Sequence, residues 1–233
     1  MSRTAAAPTK RSYNQYCAIA YGLDQIGERW TLLMVRELLL GPKRYKDLYS
    51  ALPGIATNLL SHRLRELEAN GVVQRSVLPP PAGSAVYELT ESGRELETVT
   101  SAVGRWGSRF MAEEPRDSEA ALPSAYMTAI RRLFRPDGGD AGDVTYEMRL
   151  GERVFGVYIR KGKCAVREER PSDPSLVITT DVATLNAILW RRLQPAEALA
   201  DKRVELRGPA EELERFVRTF NFAHRGGPLE APA

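Results

Sequence analysis

An α+β protein of two domains is expected, and three observations predict it. Apolar residues recur at helical spacing through the first half of the 233-residue chain. In the second half they alternate: Val144, Tyr146, Met148 and Leu150 stand between polar neighbours, as on a strand with one buried face. Between the halves, Glu113 to Leu122 is a polar, proline-bearing stretch that reads as a linker. The expected layout is a flexible arm at 1–14, a mostly helical domain at 15–112, the linker at 113–122, an α+β domain with a mostly antiparallel sheet at 123–226, and a tail at 227–233.

Each element has a local reason. Ile19, Leu23 and Ile26 form a stripe at spacings of 4 and 3. Trp30 to Leu40 is a strongly apolar helix that should be largely buried, stopped by Gly41-Pro42. Arg44 to Leu52 is a short amphipathic helix with Tyr45, Leu48 and Leu52 as its apolar positions, ended by Pro53-Gly54. Thr57 to Gly71 follows. On a helix turning about 100° per residue, Leu60, Leu64 and Leu67 share one stripe. Asn58, His62 and Arg65 lie roughly opposite, with Ser61 at their edge. Thr57 is expected to cap this helix, and Gly71 to end it in a left-handed conformation. Two short helices joined by a Gly-containing turn, the second presenting polar side chains, match the helix-turn-helix motif. Val72 to Leu78 and Ala85 to Leu89 are β-rich and flank Pro79-Pro80-Pro81-Ala82-Gly83-Ser84, a hairpin with a stiff tip. Helix-turn-helix followed by hairpin is a winged helix. Thr90 then caps a long helix to about Met111, in which Leu96, Val99, Val103, Trp106 and Phe110 recur at spacings of 3, 4, 3 and 4. That is a heptad seam, fit either to pack on the domain's own first helix or to form a dimer.

The second half begins with a helix around Ser124 to Phe134 and a turn at Pro136-Asp137-Gly138-Gly139. Strands follow at Val144 to Leu150, through Phe155, Val157 and Ile159, and at Lys163 to Arg167, linked by turns at Gly151-Glu152 and Lys161-Gly162. Ser175 to Thr180 and Lys202 to Arg207 are two further strands. A helix capped by Asp181, Val182 to Arg192, lies between them. The last helix starts at Gly208-Pro209, carries Glu211 and Glu212 in its first turn, and buries Leu213, Phe216, Val217 and Phe220.

Composition narrows the function. A hydrophobic content of 43% is ordinary for a soluble globular protein. No apolar run approaches the ~20 residues a membrane span needs, and Met1 to Tyr13 has no apolar core of a secretory signal. Two cysteines, Cys17 and Cys164, are too few for a disulfide framework, so a reducing cytoplasm is expected. The net charge of +3 is small, but residues 1–112 carry 14 Lys/Arg against 10 Asp/Glu, which puts the basic excess where a DNA footprint is wanted. There is no His-Glu-x-x-His, no Gly-x-Ser-x-Gly elbow and no phosphate loop, so no enzyme activity, cofactor or metal is expected.

With these residues laid out, the first domain resembles the HxlR family of bacterial winged-helix transcription regulators. The resemblance rests on Cys17, Ile26-Gly27-Glu28-Arg29-Trp30-Thr31-Leu32-Leu33, Arg36-Glu37-Leu38-Leu39-Leu40-Gly41-Pro42 and Leu52-Pro53-Gly54-Ile55. It continues through Leu60-Ser61-His62-Arg63-Leu64-Arg65-Glu66-Leu67-Glu68, Tyr87-Glu88-Leu89-Thr90 with Gly93, and Trp106-Gly107. It implies a homodimer that binds double-stranded operator DNA. The second domain resembles the sterol-carrier-protein-2-like (SCP2-like) domain attached to some such regulators, on strand order, Phe155, the Lys161-Gly162 turn, Asp181 and Val204-Glu205-Leu206-Arg207-Gly208. That resemblance implies a cavity for a small hydrophobic ligand, with Tyr146, Phe155, Val157 and Trp190 as the candidate lining.

The expected mechanism follows. Helix 57–70 enters the major groove, where Asn58, Ser61, His62 and Arg65 reach base edges or phosphates; Asn and Arg are the side chains that pair bidentately with adenine and guanine. Lys43, Arg44 and Lys46 face the DNA backbone, and Arg75 approaches it from the hairpin. Arg63, on the flank of the leucine stripe, suits an ion pair or a phosphate. Leu96, Val99, Val103, Trp106 and Phe110 form the dimer seam. Cys17, at the amino end of a helix, is a candidate redox or electrophile sensor, with simple packing as its alternative. Cys164, in a strand, is expected only to pack.

Overall fold

The structure, a computed structural model, describes residues 12–81, 83–111, 116, 119–134 and 142–220. The first domain runs α1 (Ala18–Ile26), α2 (Thr31–Leu38), α3 (Tyr45–Ser50), α4 (Thr57–Ala69), β1 (Val73–Val77), β2 (Ala85–Leu89) and α5 (Glu91–Gly107), which tightens into a 3₁₀ turn at Ser108–Phe110. Its core gathers Met34, Val35 and Leu38 of α2, Leu48 of α3, Leu60, Leu64 and Leu67 of α4, and Val73 and Leu89 of the hairpin. These are the apolar positions at helical and strand spacing, so burial of one face per element sets the arrangement.

Two glycines fix how the elements meet. Gly71 ends α4 at φ +70°, the left-handed conformation that a C-terminal glycine supplies without steric cost. Gly93, in the first turn of α5, lies so close to the chain at Val72 that an added Cβ would stand 2.0 Å from the Val72 carbonyl oxygen. Thr90 caps α5 by accepting from the Gly93 N–H at 3.0 Å, while its hydroxyl donates to the Gly71 carbonyl at 2.6 Å. One threonine therefore ties the end of α4 to the start of α5.

The second domain runs α6 (Pro123–Leu133), β3 (Val144–Leu150), β4 (Arg153–Arg160), β5 (Lys163–Arg167), β6 (Leu176–Thr180), α7 (Val182–Leu189), α8 (Pro195–Ala200), β7 (Glu205–Arg207) and α9 (Ala210–Thr219). Strand order is β5-β4-β3-β6-β7. Three neighbouring pairs are antiparallel, but β3 and β6 are parallel, with Tyr146 opposite Leu176. The sheet is thus mixed. Its apolar face packs Tyr146, Met148, Phe155, Val157 and Ile178 against Met127 and Ile130 of α6, Leu185 and Leu189 of α7, and Leu213 and Phe216 of α9. Asp181 caps α7 through the Thr184 N–H at 2.7 Å.

Several expectations change. Ala56, not Thr57, holds the N-cap position of α4, and Thr57 is its first helical residue. The α1 stripe is mostly left open: Ala20 alone is buried in that helix, while Ile19 is 73% exposed. Helix α8, with Pro195 in its first turn and the Gln194 N–H donating to Glu197, was not anticipated. The turn expected at 136–139, the arm up to residue 11 and the tail at 227–233 lie outside the described residues. Among the described residues no helix is long and apolar enough to cross a membrane.

The domains share core. Leu40, just after α2, is buried in the apolar cluster of the second domain, and Glu97 of α5 pairs with Arg131 of α6.

Candidate DNA-binding interface

Helix α4 is held by its flanks and free on its front. Leu60, Leu64 and Leu67 are fully buried beneath it. The Tyr45 hydroxyl of α3 donates to the Thr57 carbonyl at 2.8 Å and accepts from the Ser61 hydroxyl at 3.1 Å, pinning the amino end of α4. Arg63 reaches back to Glu28 at 2.7 Å and also pairs with Glu66, so it is an ion-pairing residue rather than a base reader. Asn58, His62 and Arg65 are exposed on the opposite face, with Ser61 half-buried beside them. The Asn58 side-chain amide oxygen Oδ1 accepts from the Leu59 backbone N–H at 2.9 Å, and His62 lies 3.3 Å from Glu66. Arg65 has no protein partner among the described residues. It is a guanidinium fork held in water by a rigid helix.

The neighbouring cations divide. Lys46 is exposed on α3, and Arg44 is half-buried at its amino end, its N–H donating to Asp47. Arg75 on β1 lies over the Tyr87 ring at 5.2 Å and within 3.4 Å of Glu68, with its side chain more than half exposed. Lys43 departs from expectation. It is 5% exposed, and its ammonium pairs with Glu168 of the second domain instead of facing a duplex. Burial, then the nearby Arg153 guanidinium, lower its pKa to about 8, against the opposing pull of Glu37 and Asp47.

An apolar surface lies away from this face. Val99, Val103, Trp106 and Phe110 of the α5 seam are exposed, with Trp106 and Phe110 in edge contact at 4.9 Å; Leu96 turns inward to the core. Ile19 and Leu23, on one face of α1, are exposed as well, and Leu23 borders the seam. A cleft of about 350 Å³ runs between these helices, lined by Leu23, Ile26, Trp30, Leu33, Val99 and Val103.

Cys17 is the exposed N-cap residue of α1. Cys164 faces α6, where burial pushes its thiol up to about 12. The four residues expected to line a ligand cavity do not come together. Tyr146, Phe155 and Val157 are closed into the core, with the Tyr146 ring 5.2 Å from Phe216, while Trp190 stands half-exposed at the end of α7.

Sequence reasoning missed the polar contacts between domains. Glu37 is fully buried and accepts from Arg36 at 2.7 Å and from Ser124 at 3.1 Å. Its signal was a lone carboxylate in an apolar helix expected to be buried, which demands a partner from elsewhere.

A buried leucine stripe beneath an exposed Asn-His-Arg face, preceded by a short helix and followed by a two-stranded hairpin, defines a DNA-binding transcription regulator of the helix-turn-helix class. The HxlR-like helix-turn-helix family model matches residues 25–115, and the chain belongs to that family. The HTH-type transcriptional regulator YodB of Bacillus subtilis is 39% identical over 93 residues, which cover 40% of this chain and 81% of YodB. An HTH-type regulator of Synechocystis is 38% identical over 98 residues, 42% of this chain and 73% of the relative. The solved reduced form of YodB from B. subtilis aligns with a TM-score of 0.37 at 33% identity, covering 43% of this chain and 100% of that one. The second domain, from α6 onward, lies outside the residues that the family model matches.

Proposed function

We propose that this regulator acts as a homodimer that reads operator DNA by placing α4 in the major groove. The observation that carries the reading is the exposed, unpartnered Arg65 beside Asn58 and His62, on a helix whose inner face is locked by three buried leucines. Arg44 and Lys46 at α3 and Arg75 on the hairpin supply phosphate contacts that set register, while α4 supplies base contacts that set sequence. The exposed apolar seam of α5, continued by α1, supports a two-fold dimer, which would place two α4 helices about one helical turn of DNA apart or a multiple of it. The test is fluorescence anisotropy on DNA upstream of the protein's own gene against a random duplex. Binding that prefers the upstream DNA and survives moderate salt supports the reading; equal, steeply salt-sensitive binding to both counts against it.

The finer part of the reading concerns the signal. The second domain is taken as SCP2-like, and its mixed five-stranded sheet with helices packed on the apolar face is compatible with that. A small apolar ligand there requires the core around Tyr146, Phe155 and Val157 to part, since all three are fully buried. Native mass spectrometry of the purified protein tests this through a co-purifying apolar compound. A second reading makes Cys17 the redox or electrophile sensor, favoured by its exposure at the N-cap of α1. Its test is an oxidation-dependent change in DNA affinity that Cys17→Ser abolishes.

A further inference from the structure

We propose that the second domain is an inhibitory clamp on the helix-turn-helix: through Glu168 it withholds Lys43 from DNA, and its release adds one phosphate contact per subunit.

The placement of Lys43 is the first reason. Its N–H donates to the Tyr87 carbonyl at 2.9 Å, and its own carbonyl accepts from the Tyr87 N–H at 2.8 Å. Tyr87 stands opposite Arg75 in the hairpin. The Lys43 backbone is therefore fixed between the amino end of α3 and the hairpin, the two elements flanking α4 that carry Lys46 and Arg75. Only its side chain has to swing for the ammonium to join them.

The clamp itself is specific. The Glu168 carboxylate takes the Lys43 ammonium together with both Nε and one terminal nitrogen of Arg153, each at 2.6 Å. The Glu168 N–H donates to the Leu40 carbonyl at 2.7 Å. Arg153 also donates to the Ser124 hydroxyl at 3.1 Å, and Ser124 donates to Glu37 at 3.1 Å. Residues 37–43 of one domain are thus gripped by Ser124, Arg153 and Glu168 of the other.

The grip is built to open. Two charges of the first domain, Glu37 and Lys43, are buried, and their partners across the contact come from the second domain. One Glu37 oxygen has no hydrogen-bond partner among the described residues and lies 4.0 Å from Arg153. Undocking returns both charges to water, which offsets much of the ion pairing lost; buried pairs roughly break even against their desolvation. Undocking would also uncover Leu40, the apolar residue of the first domain seated in the core of the second; a contact between domains that is not large and hydrophobic commonly permits relative motion.

The inference rests on the DNA-binding role of this domain. The test measures binding of the full-length protein to a random duplex across a salt series. Glu168→Gln is expected to bind several-fold tighter, with a log–log salt slope steeper by about 0.9 per subunit. Lys43→Gln in the otherwise unchanged protein is expected to alter affinity less than twofold, because the docked lysine does not touch DNA. The Lys43→Gln/Glu168→Gln double variant is expected to lose the gain. If Glu168→Gln fails to fold, Glu168→Asp, which keeps the charge but shortens the reach, should give a smaller shift in the same direction. Lys43→Gln alone lowering affinity and slope would overturn the clamp, since Lys43 would then already contact DNA. A Glu168→Gln gain that survives loss of Lys43 would overturn it as well. Failure of every variant and of the unchanged protein to bind any duplex would overturn the DNA-reading assignment, and the clamp with it.

Discussion

Arg63 and Arg65 sit two residues apart on α4, and replacing each by alanine should give opposite outcomes. Arg65 is exposed and without a partner among the described residues, so Arg65→Ala should leave stability within about 0.5 kcal/mol of the parent, as for ordinary surface sites. If its guanidinium grips a guanine edge, the loss is about 1–3 kcal/mol of discrimination per contact. That corresponds to roughly 5- to 150-fold in operator affinity, with much less change on random DNA. Arg63→Ala behaves differently. Its side chain is 14% exposed and bridges Glu28 and Glu66, tying α4 to the segment before α2. Both carboxylates are themselves well exposed and would be rehydrated, so the destabilisation should be near 1 kcal/mol, the upper end for such pairs. Thermal unfolding and anisotropy on operator and random duplexes read the two effects separately. Equal losses of operator and random binding in Arg65→Ala would reduce it to a phosphate contact, and a specific operator defect in Arg63→Ala with intact stability would refute the division of roles along the helix.

Three other outcomes are expected. Val103→Glu puts a charge on the exposed α5 seam; the domain should stay folded while sedimentation velocity shows monomers, and an intact dimer would move the interface elsewhere. Gly93→Ala forces a Cβ onto the Val72 carbonyl and should cost about 1–3 kcal/mol in thermal unfolding, in line with overpacking elsewhere; an unchanged melting temperature would contradict the close approach of α5 to the hairpin. At pH 8, a thiol-specific disulfide reagent should rapidly modify one cysteine, lost in Cys17→Ser. Cys164, its thiol raised to about 12 by burial, stays protonated and should react only on unfolding. Equally fast reaction of Cys164 would contradict the packing of α6 on β5.

The parts of the fold legible in the sequence are those ruled by local periodicity. Leu60, Leu64 and Leu67 are buried on α4, the strands at Val144–Leu150 and Ala85–Leu89 lie where alternation places them, and Thr90 and Asp181 cap the helices they precede. What escaped depends on contacts distant in sequence. Lys43 looks like a solvent-facing cation until Glu168, 125 residues away, takes its charge. The Ile19, Leu23 and Ile26 stripe of α1 has the spacing of a packed face, yet among the described residues Ala20 alone is buried in that helix. Tyr146, Phe155 and Val157 were expected around a cavity, but spacing reports only that they face inward, and tight packing against Phe216 leaves them in a closed core. The β3–β6 parallel pairing was likewise invisible, because a crossover leaves no mark on the alternation within a strand.

The most direct measurement is anisotropy of the full-length protein on its own upstream DNA and on a random duplex of equal length, from low to moderate salt, beside Arg65→Ala. Upstream binding that is tighter, less salt-sensitive than the random duplex and selectively lost in Arg65→Ala is the expected result. Identical curves on both duplexes, unaffected by Arg65→Ala, would contradict reading of DNA sequence by α4.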